Sequence, residues 1–82
     1  ANLELVVTVM NADQGLFAFT ERTERRPAAW IFGSEAHGVS AELIHRADQA
    51  VSIPLLGPVE SLNVASAAAI CLYADLAGRV RR

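Results

Sequence analysis

At 82 residues the chain is one domain at most, and a domain this short buries only about 60–65% of the surface its unfolded chain exposes, so a partner surface is expected to complete it. With 52% hydrophobic and 20% charged residues it is too apolar to be a disordered polar segment. Seven arginines, no lysine and nine acids leave a net charge of −2, which excludes the uniformly basic field of a free-standing nucleic-acid binder.

Residues 3–10, LELVVTVM, are rich in β-branched side chains and run into Asn11-Ala12-Asp13-Gln14-Gly15, a pattern that predicts a strand buried on both faces and then a turn. Residues 16–27 are mixed: Leu16, Phe17 and Phe19 anchor a short helix or an irregular loop on the core, and Pro27 resets the chain. Arg22, Arg25 and Arg26 cluster in this connector and Arg79, Arg81 and Arg82 end the chain, each group reading as a basic patch or as a solvated face.

Residues 28–32, AAWIF, form a continuous apolar run ending at Gly33, the pattern of a central parallel strand. After the loop GSEAHGVS, Ser40 caps a short helix that turns Ile44 inward and ends near Arg46. Residues 50–53 are a third buried strand, stopped by Pro54. Gly57 and Pro58 make a turn, and a helix is predicted over 63–77, with Val64, Ala67, Ala68, Cys71, Leu72 and Leu76 among its apolar positions and Gly78 as its stop. Its many alanines imply close helix packing, and the arginines beyond it complement the negative end of the helix dipole.

Cys71 is the only cysteine and lies in an apolar run, so an internal disulfide is excluded and a buried thiol in a reducing, cytoplasmic setting is expected. No stretch reaches the roughly 20 apolar residues of a membrane span, and no signal-peptide layout opens the chain. Short apolar strands alternating with helices indicate an α/β domain, a mainly parallel sheet with flanking helices. Ligands of such sheets bind beyond the carboxyl ends of the strands, where the loops 33–40 and 54–62 are expected to meet.

Three joints carry polar chemistry. Gly33-Ser34-Glu35-Ala36-His37-Gly38 has two glycines five residues apart that permit close approach to the backbone, but its spacing fails both the dinucleotide fingerprint and the phosphate loop. Ile53-Pro54-Leu55-Leu56-Gly57 offers apolar side chains and free backbone groups, which suit a flat aromatic ligand such as adenine as well as a plain turn. In Ser61-Leu62-Asn63 two helix-capping residues stand within three positions, one more than capping needs, where partial positive charge gathers. His37 and His45 lack partners at metal-ligand spacing, so no metal is expected, and no G-x-S-x-G elbow presents Ser61 as a nucleophile.

In their order and spacing, IFGSEAHGVS and VSIPLLGPVESLNVASAAAICLY resemble motifs 2 and 3 of the SpoU (TrmH-type) family of RNA ribose 2′-O-methyltransferases, in the SPOUT superfamily, over about residues 28–77. The resemblance implies a C-terminal trefoil knot, an exception to the near absence of knots. It also implies bound S-adenosyl-L-methionine, a homodimer and an rRNA or tRNA substrate. Carried over by position, Gly33, Glu35, Gly38, Ile53, Leu55, Gly57, Leu62 and Asn63 would bind the cofactor, and Ser61, Asn63 and Glu35 would take catalytic roles. Methyl transfer from a sulfonium needs an oxygen held in line, relieved of its proton and kept from water.

The departures count as well. Motif 1, an Asn-x-Gly stretch followed by an arginine proposed to activate the ribose hydroxyl, is absent, as is an RNA-recognition domain, and Ala36 replaces a glycine common after the motif 2 acid. Residues 1–82 are therefore expected to be the C-terminal part of a SpoU-type catalytic domain, inactive alone. The competing readings are a non-catalytic module that binds S-adenosylmethionine or dimerises, and a flavodoxin-type nucleotide-binding domain.

Overall fold

The computed structural model describes residues 3–10, 12–22, 25–33, 38–53 and 64–80. Strand β1 (Glu4–Thr8) is where the β-branched run falls, followed by the two-residue β2 (Gln14–Gly15) and the single-turn helix α1 (Leu16–Thr20). Then come β3 (Ala28–Ile31), α2 (Ala41–Arg46), β4 (Gln49–Ser52) and the long helix α3 (Val64–Val80). Among the described residues the strands form one sheet in the order β2-β4-β1-β3, with all three strand pairings parallel. The α/β reading holds.

The register fixes which side chains share a face. Val6 stands opposite Trp30 and Gln49, and Thr8 opposite Val51, so alternation puts Glu4, Val6, Ala28, Trp30 and Val51 on one face and Val7, Ile31 and Ala50 on the other. On the first face Val6 and Val51 pack with Phe19 of α1, and Ala28 and Trp30 lean on that cluster. Val7 is fully buried as well, so β1 is covered on both sides, as its sequence predicted. Leu16, Cys71 and Ala74 form a second cluster joining α1 to α3, against which Trp30, Phe32 and Ile53 pack.

Four expectations are corrected. The AAWIF strand is an edge of the sheet rather than its centre among the described residues, because an unbroken apolar run shows only that both faces are covered, not that both neighbours are present. The turn predicted at 11–15 contains β2, paired to β4 through Gln14 and Gly15. Ser40 does cap α2, its hydroxyl accepting from the Leu43 N–H at 3.2 Å, yet Ile44 stays exposed and α2 buries none of its residues. Gly78 does not stop α3, which continues to Val80.

The reason for that last difference lies in packing. The buried side of α3 is the stripe Cys71, Ala74 and Gly78, spaced three and four residues apart. Gly78 is pressed so closely on the Thr20 carbonyl of α1 that a Cβ there would collide with it. The final turn is held by Arg79, whose Nε donates to Asp75 Oδ1 one turn back at 2.9 Å and whose Nη2 donates to the Arg26 carbonyl at 2.9 Å. Small residues face the core, while Leu72, Tyr73, Leu76 and Val80, large and apolar, are exposed.

Candidate functional site

Because all strand pairs are parallel, β3 and β4 release their chains at the same edge, with β1 between them. Two strand spacings set Gly33, after β3, and Ile53, after β4, about 10 Å apart. The connection from β3 to β4 crosses over β1, and such reversals open a crevice beyond the carboxyl edge. Ile53 is half-buried against Leu16, Cys71 and Ala74, with Phe32 beside it on the same cluster. The backing of the site is therefore apolar and supplied by α1 and α3.

Gly33 is the tightest point. A Cβ on it would run into the Gly38 carbonyl carbon and the Val39 nitrogen, with the Gly38 Cα 2.6 Å away. The chain that leaves β3 at Gly33 thus meets itself again at Gly38, which has a φ of +65° that L side chains rarely adopt. One glycine provides space and the other conformation. Gly33, Gly38 and Ile53 are brought to one edge, whereas Glu35, Leu55, Gly57, Ser61, Leu62 and Asn63 lie outside the described residues.

The opposite edge holds the arginines. The Arg25 guanidinium is buried, pairs with Asp75 at 2.6 Å and lies over the Phe19 ring, 5.1 Å from its centroid. Arg26 approaches Glu4 at 3.6 Å and Asp48 at 3.9 Å, while the Asp48 carboxylate accepts from the Leu5 N–H at 2.7 Å. Arg46 pairs with Glu42 within α2. The connector cluster is neither a free basic patch nor simply a solvated face: Arg25 and Arg26 tie the amino-terminal edge of the sheet to α3 and to β1. Arg81 and Arg82 lie outside the described residues.

Two titrations follow from this packing. Burial pushes the Cys71 thiol from 9.0 up to about 11, so it stays protonated and unreactive at neutral pH. Burial also works to raise the Asp75 carboxyl, but hydrogen bonds from Arg25 and Trp30 and the charges of Arg25 and Arg79 together hold it below its ordinary 3.8. Asp75 is therefore ionised at neutral pH. Because Cys71 contributes packing alone, Cys71→Ala is expected to lower unfolding free energy by about 1 kcal/mol. Urea unfolding with adenosylhomocysteine titration checks this, and a large loss of affinity would give the thiol a role beyond packing.

Sequence reasoning missed the Asp75–Trp30 contact, in which Trp30 Nε1 donates to Asp75 Oδ2 at 3.3 Å across 45 positions. Neither residue stands in a motif or a period that marks it. Among the described residues no group of three or more His, Cys, Asp or Glu is arranged to hold a metal, and no helix is long and apolar enough to cross a membrane.

The sequence profile of the SpoU rRNA Methylase family matches residues 1–73. The chain is 47% identical over 55 residues to the 23S rRNA (guanosine-2'-O-)-methyltransferase RlmB of Bordetella pertussis, an alignment covering 67% of this chain and 22% of that one. It is 49% identical over 55 residues to the tRNA (guanosine(18)-2'-O)-methyltransferase of Thermus thermophilus, covering 67% and 28%. The crystal structure of the SpoU methyltransferase AviRb from Streptomyces viridochromogenes in complex with AdoMet superposes with a TM-score of 0.79 at 31% identity, covering 95% of this chain and 28% of that one. The chain thus spans between a fifth and a third of the length of these relatives.

Proposed function

Since the chain belongs to the SpoU rRNA methylase family, we propose that it is the part of an RNA 2′-O-methyltransferase that holds S-adenosyl-L-methionine, the methyl group passing to a ribose 2′-oxygen of rRNA or tRNA. The observation that carries this reading is the meeting of Gly33, Gly38 and Ile53 at one carboxyl edge of the sheet, in the order and spacing of the family's motifs. A backbone neck without side chains beside an apolar floor fits a bent nucleoside, which is recognised by backbone groups and flat contacts. The AdoMet-bound relative supports the same choice of cofactor.

Bound there, S-adenosylmethionine supplies a methyl group already activated on a sulfonium. The chain's own residues then hold and orient. Gly33 and Gly38 let the backbone close on the ligand, and Ile53, with Leu55, Gly57 and Leu62, lines the adenosyl side. Ser61 and Asn63 position the ribose or the donor, and Glu35 orders its loop or favours the positive sulfur. Closing this pocket excludes water, which suits a reaction dominated by positioning. A C-terminal trefoil knot belongs to the same proposal. So does a homodimer, supported by the apolar side chains that α3 exposes.

One observation favours the second reading, a module that binds the donor without catalysing. Arg25, Arg26 and Arg79 cluster at the amino-terminal edge, Arg22 lies over Phe19 before β3 begins, and Arg46 ends α2 before β4 begins. Among the described residues no arginine stands at the carboxyl edge to activate a hydroxyl. The chain and a version extended upstream are incubated with labelled S-adenosylmethionine and RNA, and the nucleosides analysed. The extended protein is expected to yield 2′-O-methylribose and the chain alone to bind the donor without transfer. Methyl groups on bases would overturn the proposed reaction.

A further inference from the structure

Phe19 of α1 packs on Trp30 of β3, and Trp30 on Phe32, which lies beyond the carboxyl end of that strand. Phe19 meets Trp30 edge-on, with centroids 5.8 Å apart, and Trp30 stacks on Phe32 at 6.4 Å with 13° between the planes. Phe32 immediately precedes Gly33. An indole held only by packing has alternative ring orientations, but this one donates its N–H to Asp75. The carboxylate is itself fixed from two sides, by buried Arg25 at 2.6 Å and by Arg79 at 2.9 Å. Arg25 is in turn held over Phe19.

We infer that Asp75 is a positioning residue for the methyl-donor site: it sets the Trp30 ring, Trp30 sets Phe32, and Phe32 sets the direction in which Gly33 enters its contact with Gly38. The inference rests on the reading of that site given above. Interior packing transmits small displacements rather than absorbing them, and the Gly33–Gly38 contact has no room for even one added carbon. Ala74, next to Asp75, packs in the cluster that also seats Phe32 and Ile53, so one turn of α3 backs both strand ends. Asp75 stands 23 positions after the end of β4, and its effect passes through Trp30.

The test compares Asp75→Asn, which keeps the shape and loses the charge, with Trp30→Phe, which keeps an aromatic ring and loses the N–H. Asp48→Ala, which removes the acceptor of the Leu5 N–H at the amino-terminal edge, is the control for destabilisation alone. In the ligand-free chain the amide resonances of Phe32, Gly33, Gly38 and Ile53 are expected to move in both variants and to stay in the control. Adenosylhomocysteine affinity, measured well below each unfolding midpoint, is expected to fall about tenfold in both variants, about 1.4 kcal/mol and within the range of a coupled contact, and to hold in the control. Unmoved resonances and unchanged affinity in folded Asp75→Asn would overturn the inference while leaving the site intact. If the unmodified chain fails to bind the nucleoside while the resonances move, the site reading falls and the Asp75 linkage to Gly33 stands.

Discussion

Gly33→Val is expected to weaken adenosylhomocysteine binding at least about fivefold, and in proportion to lower any methyl transfer by an extended protein. The magnitude follows from what the new atoms meet. A Cβ at 33 collides with the carbonyl carbon of Gly38 and the nitrogen of Val39, backbone atoms that have no rotamer by which to move aside. Forced overpacking of this kind costs about 1–3 kcal/mol, roughly a factor of 5 to 150 when it is exerted on a binding geometry. The neck opens and the backbone that should close over the ligand is displaced. Gly15→Ala is the matched control, because a Cβ there meets nothing within 4 Å. Isothermal titration of the two variants decides the matter, and equal affinities would remove Gly33 from the wall of the site.

Gly78→Ala is expected to destabilise the chain by about 1–3 kcal/mol. That sign is the reverse of the usual one, since alanine is ordinarily favoured over glycine inside a helix by about 1 kcal/mol. Here the Cβ would strike the Thr20 carbonyl oxygen and lie 3.1 Å from its carbon, so α1 and α3 must separate. Separation pulls Leu16 away from Cys71 and Ala74 and loosens the cluster on which Ile53 and Phe32 rest. In a domain of this size each kcal/mol lowers the thermal midpoint by roughly 4–8 °C. A rise in midpoint would show that helix propensity, not contact with α1, governs this position.

Much of the architecture was legible because it is encoded locally. The β-branched run of β1, the Ser40 cap and the short apolar strands each carry their own signal, and alternation of strands with helices implies parallel pairing. Gly33 was legible for a similar reason, as a glycine directly after an apolar strand. What was not legible depends on distant partners. Glycine reads as a stop when it follows an apolar run, yet Gly78 is needed for close approach to Thr20, 58 positions away in sequence. Arg25 reads as surface charge because nothing near it in the chain announces Asp75, 50 residues on. The edge position of β3 among the described residues was hidden because both covered edges and central strands read as unbroken apolar runs. Of α3 the sequence marks apolar positions without saying which side is covered, and it is the small side that is buried.

Placement of the methyl donor at the carboxyl edge is tested most directly by titrating adenosylhomocysteine into the isotopically labelled chain and mapping the amide resonances. The largest changes are expected at Gly33, Gly38, Ile53 and residues 57–63, with Glu4, Arg26 and Asp48 at the opposite edge unmoved, and mononucleotides should fail to reproduce them. Changes confined to the amino-terminal edge or to the groove of Phe17, Ile70 and Tyr73 between α1 and α3, or stronger binding by a mononucleotide, would contradict it.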